Sequence, residues 1–477
     1  MTPPVKTRFA PSPTGQLHLG NVRTALFSYL LARRHHGIFL LRFEDTDLER
    51  SAAELEPGMM EDLRWLGLQW QEGPEVGGEH APYRQSERLP IYERLFAALE
   101  RSDLVYPCFC SEERLAEMRR DQEAAGQPPR YDGTCARLSH AEAEARIAAG
   151  ERPTLRFRVP EDEEICFDDL VRGPQCFRTA EIGDFVVRRS DGTPAFFFSN
   201  VVDDALMGVT HVIRGEDHLS NTPRQLLILE ALSLPAPRYA HAPLLVDREG
   251  KPLSKRRGSP TLQSLRERGY LPGAVLNYLA RLGHHYENEA WMDLEELANA
   301  FSMEEMGRSP AQYAEEQLLH WQRETIHQLP DTALWRWIVE GAPETADLVA
   351  GEIRGPFVRA VRDNLLFPAD ALDLARRLFT DPPLMDDDAR RVIDSTPAAL
   401  FDAALAVQEE AREDAFSEFA RAVGKRAGMK GKNLFMPLRA ALTGMCHGPE
   451  MSRIWILMDA DAVRRRLQAA RQMSKES

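Results

Sequence analysis

The chain has 477 residues, of which 43% are hydrophobic and 28% charged, an ordinary globular balance with material for about three to five domains. Lys and Arg number 59 against 74 Asp and Glu, a net charge of −15. That argues against nucleic-acid binding by the surface as a whole, but not by a local basic patch. No uncharged apolar run approaches the ~20 residues of a membrane span, and the start, MTPPVKTRFAPSPTG, has neither signal-peptide nor transit-peptide character. A soluble cytoplasmic protein without membrane contact is expected.

The N-terminal third alternates strand and helix. Residues 6–10 (KTRFA) read as a short strand, and the loop PSPTGQLH follows. From Leu19 a helix is predicted, because Leu19, Val22, Leu26, Tyr29 and Leu30 recur at helical spacing. Arg33, Arg34, His35 and His36 favour its negative end, and Gly37 is a natural stop. IFLLRFED (38–45) has the apolar run of a buried parallel strand. Strand, helix and strand in this order open an α/β nucleotide-binding domain.

Two further helices are expected at 58–66 and 84–101. Polar, irregular sequence over roughly 103–192 reads as an insertion with the strand-like TLRFRV inside it. The α/β pattern returns with PAFFFSNVVDD, THVIRGEDH (a strand ending in charge), a helix at about 222–232 and the short strand HAPLLVD. Beyond about 262 the pattern is helical, with breaks near Pro330, Pro343, Pro356 and Pro382-Pro383, and 398–436 reads as helix. Two basic patches stand out: KPLSKRR (251–257) and KRAGMKGKNLFMPLR (425–439), the second without an acid. Among six cysteines, Cys108, Cys110 and Cys135 cluster while Cys166, Cys176 and Cys446 stand apart. A cytosolic enzyme would not use them as a disulfide framework, so metal binding or burial is expected.

Three groups of residues carry chemistry. His18-Leu19-Gly20-Asn21 sits where a loop enters a helix N-terminus, whose free N–H groups and dipole favour a phosphate. His18 can donate to charge developing there, and Gly20 admits a flat base or ribose. The chain has neither GxGxxG nor GxxxxGK[ST] in a suitable setting, which disfavours dehydrogenases and P-loop enzymes. Ser254-Lys255-Arg256-Arg257, flanked by Gly250, Pro252, Gly258 and Pro260, makes a cationic loop able to stabilise a departing pyrophosphate. Finally, Glu44 and Asp45 end one strand and Arg214, Glu216 and Asp217 another. Ligands of open α/β sheets bind beyond such ends, where these charges can grip the carboxylates and ammonium of an amino acid.

FAPSPTGQLHLGN, RFEDTD, YRQSER, NVVDDALMGVTHVIRGEDH, NTPRQ and PLSKR closely resemble class I glutamyl-tRNA synthetases, HLGN standing in for the HIGH signature and PLSKR for the KMSKS loop. The resemblance continues more weakly through GYLPGAVLNYLARLG and LFMPLRAALTG, so it covers nearly the whole chain. It implies an α/β Rossmann-like catalytic domain in two halves (1–100 and 193–250) split by an α+β acceptor-end-binding insertion (101–192). A stem-contact region (251–328) and an all-α anticodon-binding domain (329–477) would follow, in a monomer. It implies ATP with Mg²⁺, L-glutamate and tRNA(Glu) as partners, reacting through glutamyl-adenylate. It places glutamate at Arg8, Ala10, Ser12, Glu44, Phe196, Asn200 and Arg214, and ATP at His18, Gly20, Asn21, Asp217, Leu245, Leu253, Ser254, Lys255 and Arg256.

There are two departures from the family pattern. Phe196 stands where many relatives carry a tyrosine, so side-chain recognition should lean on arginine. Cys108, Cys110 and Cys135 match a zinc pattern whose fourth ligand, a histidine two places on, is here Arg137, which cannot ligate. Tyr131 and His140 are the replacements, and Tyr131 is preferred because a shorter paralogous group has tyrosine at that spacing. Two rivals stay open: an enzyme that also charges tRNA(Gln), and a non-catalytic RNA-binding relative, against which intact His18, Lys255 and Arg214 count.

Overall fold

The computed structural model describes residues 4–47, 51–253, 260–410 and 415–474. They fall into two units, Met1–Leu265 with Val275–Glu315, and Arg266–Ala274 with Glu316–Ser477.

In the first unit Lys6–Phe9 is a strand, Leu19–Arg34 a helix, and Ile38–Leu41 a strand parallel to the first, with Lys6 opposite Ile38 and Phe9 opposite Leu41. The helix is buried almost all round from Leu19 to Ala32, which its near-continuous apolar sequence requires. It stops at Arg34, since His36 takes a left-handed φ of 51°. Gly37 does more than end the helix: a Cβ there would lie 1.9 Å from Val5 O, so only glycine lets the chain turn back against the first strand.

The other half of the sheet pairs His211–Gly215 in parallel with Arg238–Ala242. Thr210 joins the halves. Its N–H donates to Lys6 O and its carbonyl accepts from Arg238 N–H, both at 2.9 Å, and its Oγ1 accepts from Lys6 N–H at 2.8 Å. Lys6–Phe9 therefore has Ile38–Leu41 on one side and His211–Gly215 on the other, and the chain leaves these two central strands in opposite directions. The crevice beyond their carboxyl ends is the topological switch point where sheets of this kind bind ligands. PAFFFSNVVDD forms most of a helix, Phe196–Leu206, that precedes a second, Thr222–Ala231. The expected helix at 58–66 is Glu56–Trp65, and that at 84–101 is a 3₁₀ turn, Gln85–Arg88, leading into Leu89–Arg101.

The insertion is α+β. Val105–Cys108, Thr154–Phe157 and Phe185–Arg188 form an antiparallel sheet, and Glu164–Asp169 and Gly173–Arg178 a hairpin. That hairpin corrects the expectation that no cysteine pair is a disulfide: Cys166 and Cys176 are bonded. Its register sets them directly opposite, with Cα atoms 4.2 Å apart. The two look unrelated in sequence because only the strand pairing joins them.

The second unit is helical, including Asp331–Gly341, Pro368–Phe379, Ala398–Glu410, Phe416–Ala427, Lys432–Thr443 and Ala460–Met473. Phe419 stacks on Trp455 at 4.8 Å in its core. Arg466 is buried and caps the carbonyls of Arg377, Leu378 and Thr380 at 2.8–3.0 Å. The run 398–436 is not one helix. Gly428, at φ 66°, ends Phe416–Ala427, and a new helix starts at Lys432. Pro356 lies in the first turn of Arg354–Val361, a helix that begins after the extended break at Val349 and Ala350. Among the described residues no helix is long and apolar enough to cross a membrane.

Candidate active site

A cavity of about 590 Å³ opens at the switch point. Ten residues singled out in the sequence line it: Arg8, Ala10, Ser12, His18, Asn21, Glu44, Phe196, Asn200, Arg214 and Leu253. They come from both inner strands, the loop after the first, the head of the long helix, the chain just beyond Ile38–Leu41, the helix Phe196–Leu206 and the segment after Leu245–Val246.

His18 is the N-cap of that long helix. Its Nδ1 accepts from the N–H groups of Gly20 (3.2 Å) and Asn21 (3.4 Å), two donors that the helix itself leaves unsatisfied. With Nδ1 an acceptor, the proton of the neutral ring is on Nε2. Gly20 does not line the cavity. A Cβ there would sit 3.1 Å from His18 Cε1 and Nδ1, so glycine gives the histidine ring room to fold over the helix end.

Below the cavity lies a buried network that the sequence reading missed. Arg42, fully buried, donates from Nη2 to Glu44 Oε1 (3.1 Å), Asp204 Oδ1 (2.8 Å) and Asn200 O (3.3 Å). Asn200 donates to Glu44 Oε1 at 2.6 Å and accepts from Gln225 at 2.8 Å. Burial raises the Glu44 carboxyl above its ordinary value, although Arg42, Arg8 and Asn200 oppose the shift. Burial also works to raise Asp204, but Arg8 and Arg42 outweigh it and hold that carboxyl below the usual range. Asp203 accepts from Gln85 (3.0 Å), Arg88 (2.7 Å) and Tyr92 (2.7 Å). Adjacent acids on an apolar helix (VVDD) and paired charges in RFED were the available signal, since a buried charge needs a partner.

The two arginines differ. Arg8 is engaged by the protein, its Nε with Asp204 at 3.2 Å and its Nη1 with Ile213 O at 3.3 Å. Arg214 donates from Nε to His241 Nε2 (3.0 Å) and from Nη2 to Thr222 Oγ1 (2.8 Å). Its Nη1 is buried with no hydrogen-bond partner, and desolvation lowers its pKa to about 10, so it remains a cation near neutrality.

The remaining expected residues fall elsewhere. Asp217 lies in the turn Glu216–Asn221, its Oδ1 folded over Gly215, where a Cβ would come within 2.3 Å. Leu245 is buried and accepts the Leu253 N–H at 2.9 Å, which sets Leu253 at the cavity. Ser254, Lys255 and Arg256 lie outside the described residues. Phe196 stands 5.6 Å, ring to ring, from His218, a cavity residue that was not anticipated.

In the insertion, the Sγ atoms of Cys108, Cys110 and Cys135 lie within 4.8 Å of one another. The Tyr131 hydroxyl stands 3.4 Å from Cys108 Sγ and 3.5 Å from Cys110 Sγ, and accepts from Cys135 N–H at 2.8 Å. His140 points into solvent, 94% exposed and 4.0 Å from Asp103, and Arg137 donates to Asp132 O. Burial pushes the Cys110 thiol up to about 11, while at Cys108 the Tyr131 hydrogen bond and Arg156 outweigh burial and bring it to about 7. Three crowded thiols and a phenol suit a thiophilic divalent cation, which favours their deprotonated forms together.

Residues 4–321 match the family of class I tRNA synthetases (E and Q), catalytic domain, and residues 332–471 an anticodon binding domain. Glutamate--tRNA ligase 2 of Nitrosococcus oceani is 54% identical over 464 residues, 97% of this chain and 98% of that protein. The protein of the same name from Alkalilimnicola ehrlichii is 54% identical over 478 residues, covering 99% of each. A crystal structure of a glutamate tRNA ligase from Elizabethkingia meningosepticum, in complex with its amino acid, superposes with a TM-score of 0.90 at 29% identity, covering 98% of this chain and 99% of that one. This chain belongs to the class I tRNA synthetases of the E and Q family, with that family's catalytic and anticodon-binding domains.

Proposed function

We propose that the chain is a glutamate--tRNA ligase, joining L-glutamate to tRNA(Glu) at the expense of ATP. The observation that carries this reading is Arg214, a buried cation in a cavity shared with the His18 helix cap and with one nitrogen left for a ligand. Relatives of that name over the full chain support it. In the first step the α-carboxylate of glutamate attacks the α-phosphorus of ATP, forming the acyl phosphate and releasing pyrophosphate. In the second, a ribose hydroxyl of the terminal adenosine attacks the glutamyl carbonyl and AMP departs. No protein nucleophile is needed, so catalysis is positioning and charge stabilisation.

In this reading His18 Nε2–H and the helix N-terminus face the phosphates, and Glu44 holds the substrate ammonium. Arg214 Nη1 takes the side-chain carboxylate. Lys255 and its basic neighbours stabilise the leaving pyrophosphate, and Mg²⁺ enters with ATP as its counter-ion. Cys108, Cys110, Cys135 and Tyr131 would hold a structural zinc that pins the insertion. The exposed Lys425, Lys430 and Lys432 with the exposed Phe435 give the second unit a basic, aromatic face suited to RNA despite the acidic whole. The deciding experiment is aminoacylation of purified tRNA(Glu) and tRNA(Gln) with glutamate and with glutamine. Glutamate should be preferred by ~10³ or more. Use of glutamine within tenfold of glutamate would remove glutamate as the substrate, and the tRNA arms report whether tRNA(Gln) is charged too.

A further inference from the structure

Arg214 is oriented by hydrogen bonds that begin in the insertion. Asp169 ends the first strand of the disulfide-bonded hairpin and is buried. Its Oδ1 accepts from the N–H groups of Val171 (2.9 Å), Arg172 (2.8 Å) and His241 (3.2 Å). Its Oδ2 lies 2.6 Å from His241 Nδ1. His241 is fully buried, and its Nε2 meets Arg214 Nε at 3.0 Å and Thr222 Oγ1 at 3.2 Å. An arginine Nε–H can only donate, so His241 Nε2 is the acceptor and the ring proton sits on Nδ1, facing Asp169. Burial disfavours the imidazolium, lowering His241 below its ordinary value, which suits a neutral ring between a carboxylate and a guanidinium. With Nε and Nη2 both held, the planar fork is fixed, and Nη1 is the nitrogen without a partner in the protein.

We propose that Asp169 and His241 are positioning residues for amino-acid selection: Asp169 selects the His241 tautomer that accepts from Arg214 Nε, and this aims Arg214 at the substrate's side-chain carboxylate. Neither residue lines the cavity, so both act through Arg214. The inference rests on reading Arg214 as the carboxylate's partner. It makes a residue of the insertion part of the amino-acid pocket's supporting structure.

Asp169→Asn keeps the shape and the Oδ1 acceptor, but puts an NH₂ opposite His241 Nδ1. The ring then takes the other tautomer and sets Nε2–H against Arg214 Nε–H. In aminoacylation of tRNA(Glu) by the full chain, KM for glutamate rises by roughly tenfold or more while KM for ATP stays within about twofold. Adding His241→Gln to Asp169→Asn supplies an amide oxygen that needs no tautomer, and glutamate KM returns to within about threefold of wild type. An unchanged glutamate KM in Asp169→Asn, an equal rise for glutamate and ATP, or no recovery in the double variant would overturn the proposal. Wild type that charges tRNA while Asp169→Asn matches it sinks this inference alone. Wild type that charges no glutamate sinks the functional reading and this inference with it.

Discussion

Replacing Arg214 by alanine removes the cavity's buried cation with an unpartnered nitrogen and leaves His241 and Thr222 without their donor. A charge-assisted hydrogen bond in a buried setting is worth about 1.5–3 kcal/mol, and a substrate carboxylate left facing no cation adds its own desolvation cost. A loss of about 3–4 kcal/mol corresponds to roughly 10²–10³ in kcat/KM for glutamate, with KM for ATP nearly unchanged. Arg214→Lys should recover little. A lysine keeps the charge but has no second and third nitrogen with which to hold His241 and Thr222 while reaching the substrate. Phe196→Tyr, which adds a hydroxyl at the cavity wall, should be tolerated and tighten glutamate slightly. The assay is steady-state aminoacylation with glutamate and glutamine, with thermal unfolding run in parallel. A kcat/KM for Arg214→Ala within threefold of wild type would refute the assignment, and so would an equal loss for both amino acids.

Lys255→Ala should slow glutamyl-adenylate formation by about 10²–10³, the effect of one preorganised charge at the leaving group, and leave the melting temperature in place; ATP–pyrophosphate exchange is the measurement, and an unaltered rate removes the lysine from the chemistry. The protein prepared without chelator should carry one zinc per chain. Tyr131→Phe should reduce its retention more than His140→Ala, because the hydroxyl sits among the thiols and the imidazole lies in solvent. Elemental analysis showing less than about a tenth of an equivalent in wild type would end that assignment. Asp203→Ala strips Arg88 of its buried counter-charge and Gln85 and Tyr92 of their acceptor, and should cost about 3–5 kcal/mol in stability. A denaturant midpoint indistinguishable from wild type would contradict it.

Where a stretch of sequence is governed by its own periodicity, the reading and the structure coincide. The helix from Leu19 and the strands on either side of it are set by neighbours within a few residues of each other. What was not legible is what pairs across distance. Arg42 between Glu44 and Asp204, Asp169 behind His241, and Cys166 opposite Cys176 each depend on register or on sheet order, which leave no local pattern. Gly37 and Gly20 also meet needs that the sequence does not display: a Cβ at one would run into Val5 O, and a Cβ at the other would crowd the ring of His18. Of the predicted residues that line the cavity, His18, Asn21, Glu44 and Arg214 stand in motifs read from the sequence itself, and the others came with the family resemblance. The residues that hold those side chains in place had no such guide.

The sheet's connectivity also fixes when the pocket can exist. Lys6 meets Thr210 across 204 residues, and Arg8 meets Asp204 across 196. On a ribosome adding ~5–20 residues per second, the first strand therefore waits roughly 10–40 s for its second neighbour. During that interval one of its edges has no partner, and Arg8 lacks Asp204. Contacts of such sequence separation are slow to form, so this half of the protein should acquire its structure late relative to its synthesis. A nascent chain arrested before His211 would already contain the helix cap at His18 but could not bind an amino acid. Chaperone demand during synthesis should accordingly fall on the first two hundred or so residues, and the helical unit, whose partners are closer in the chain, should need less of it.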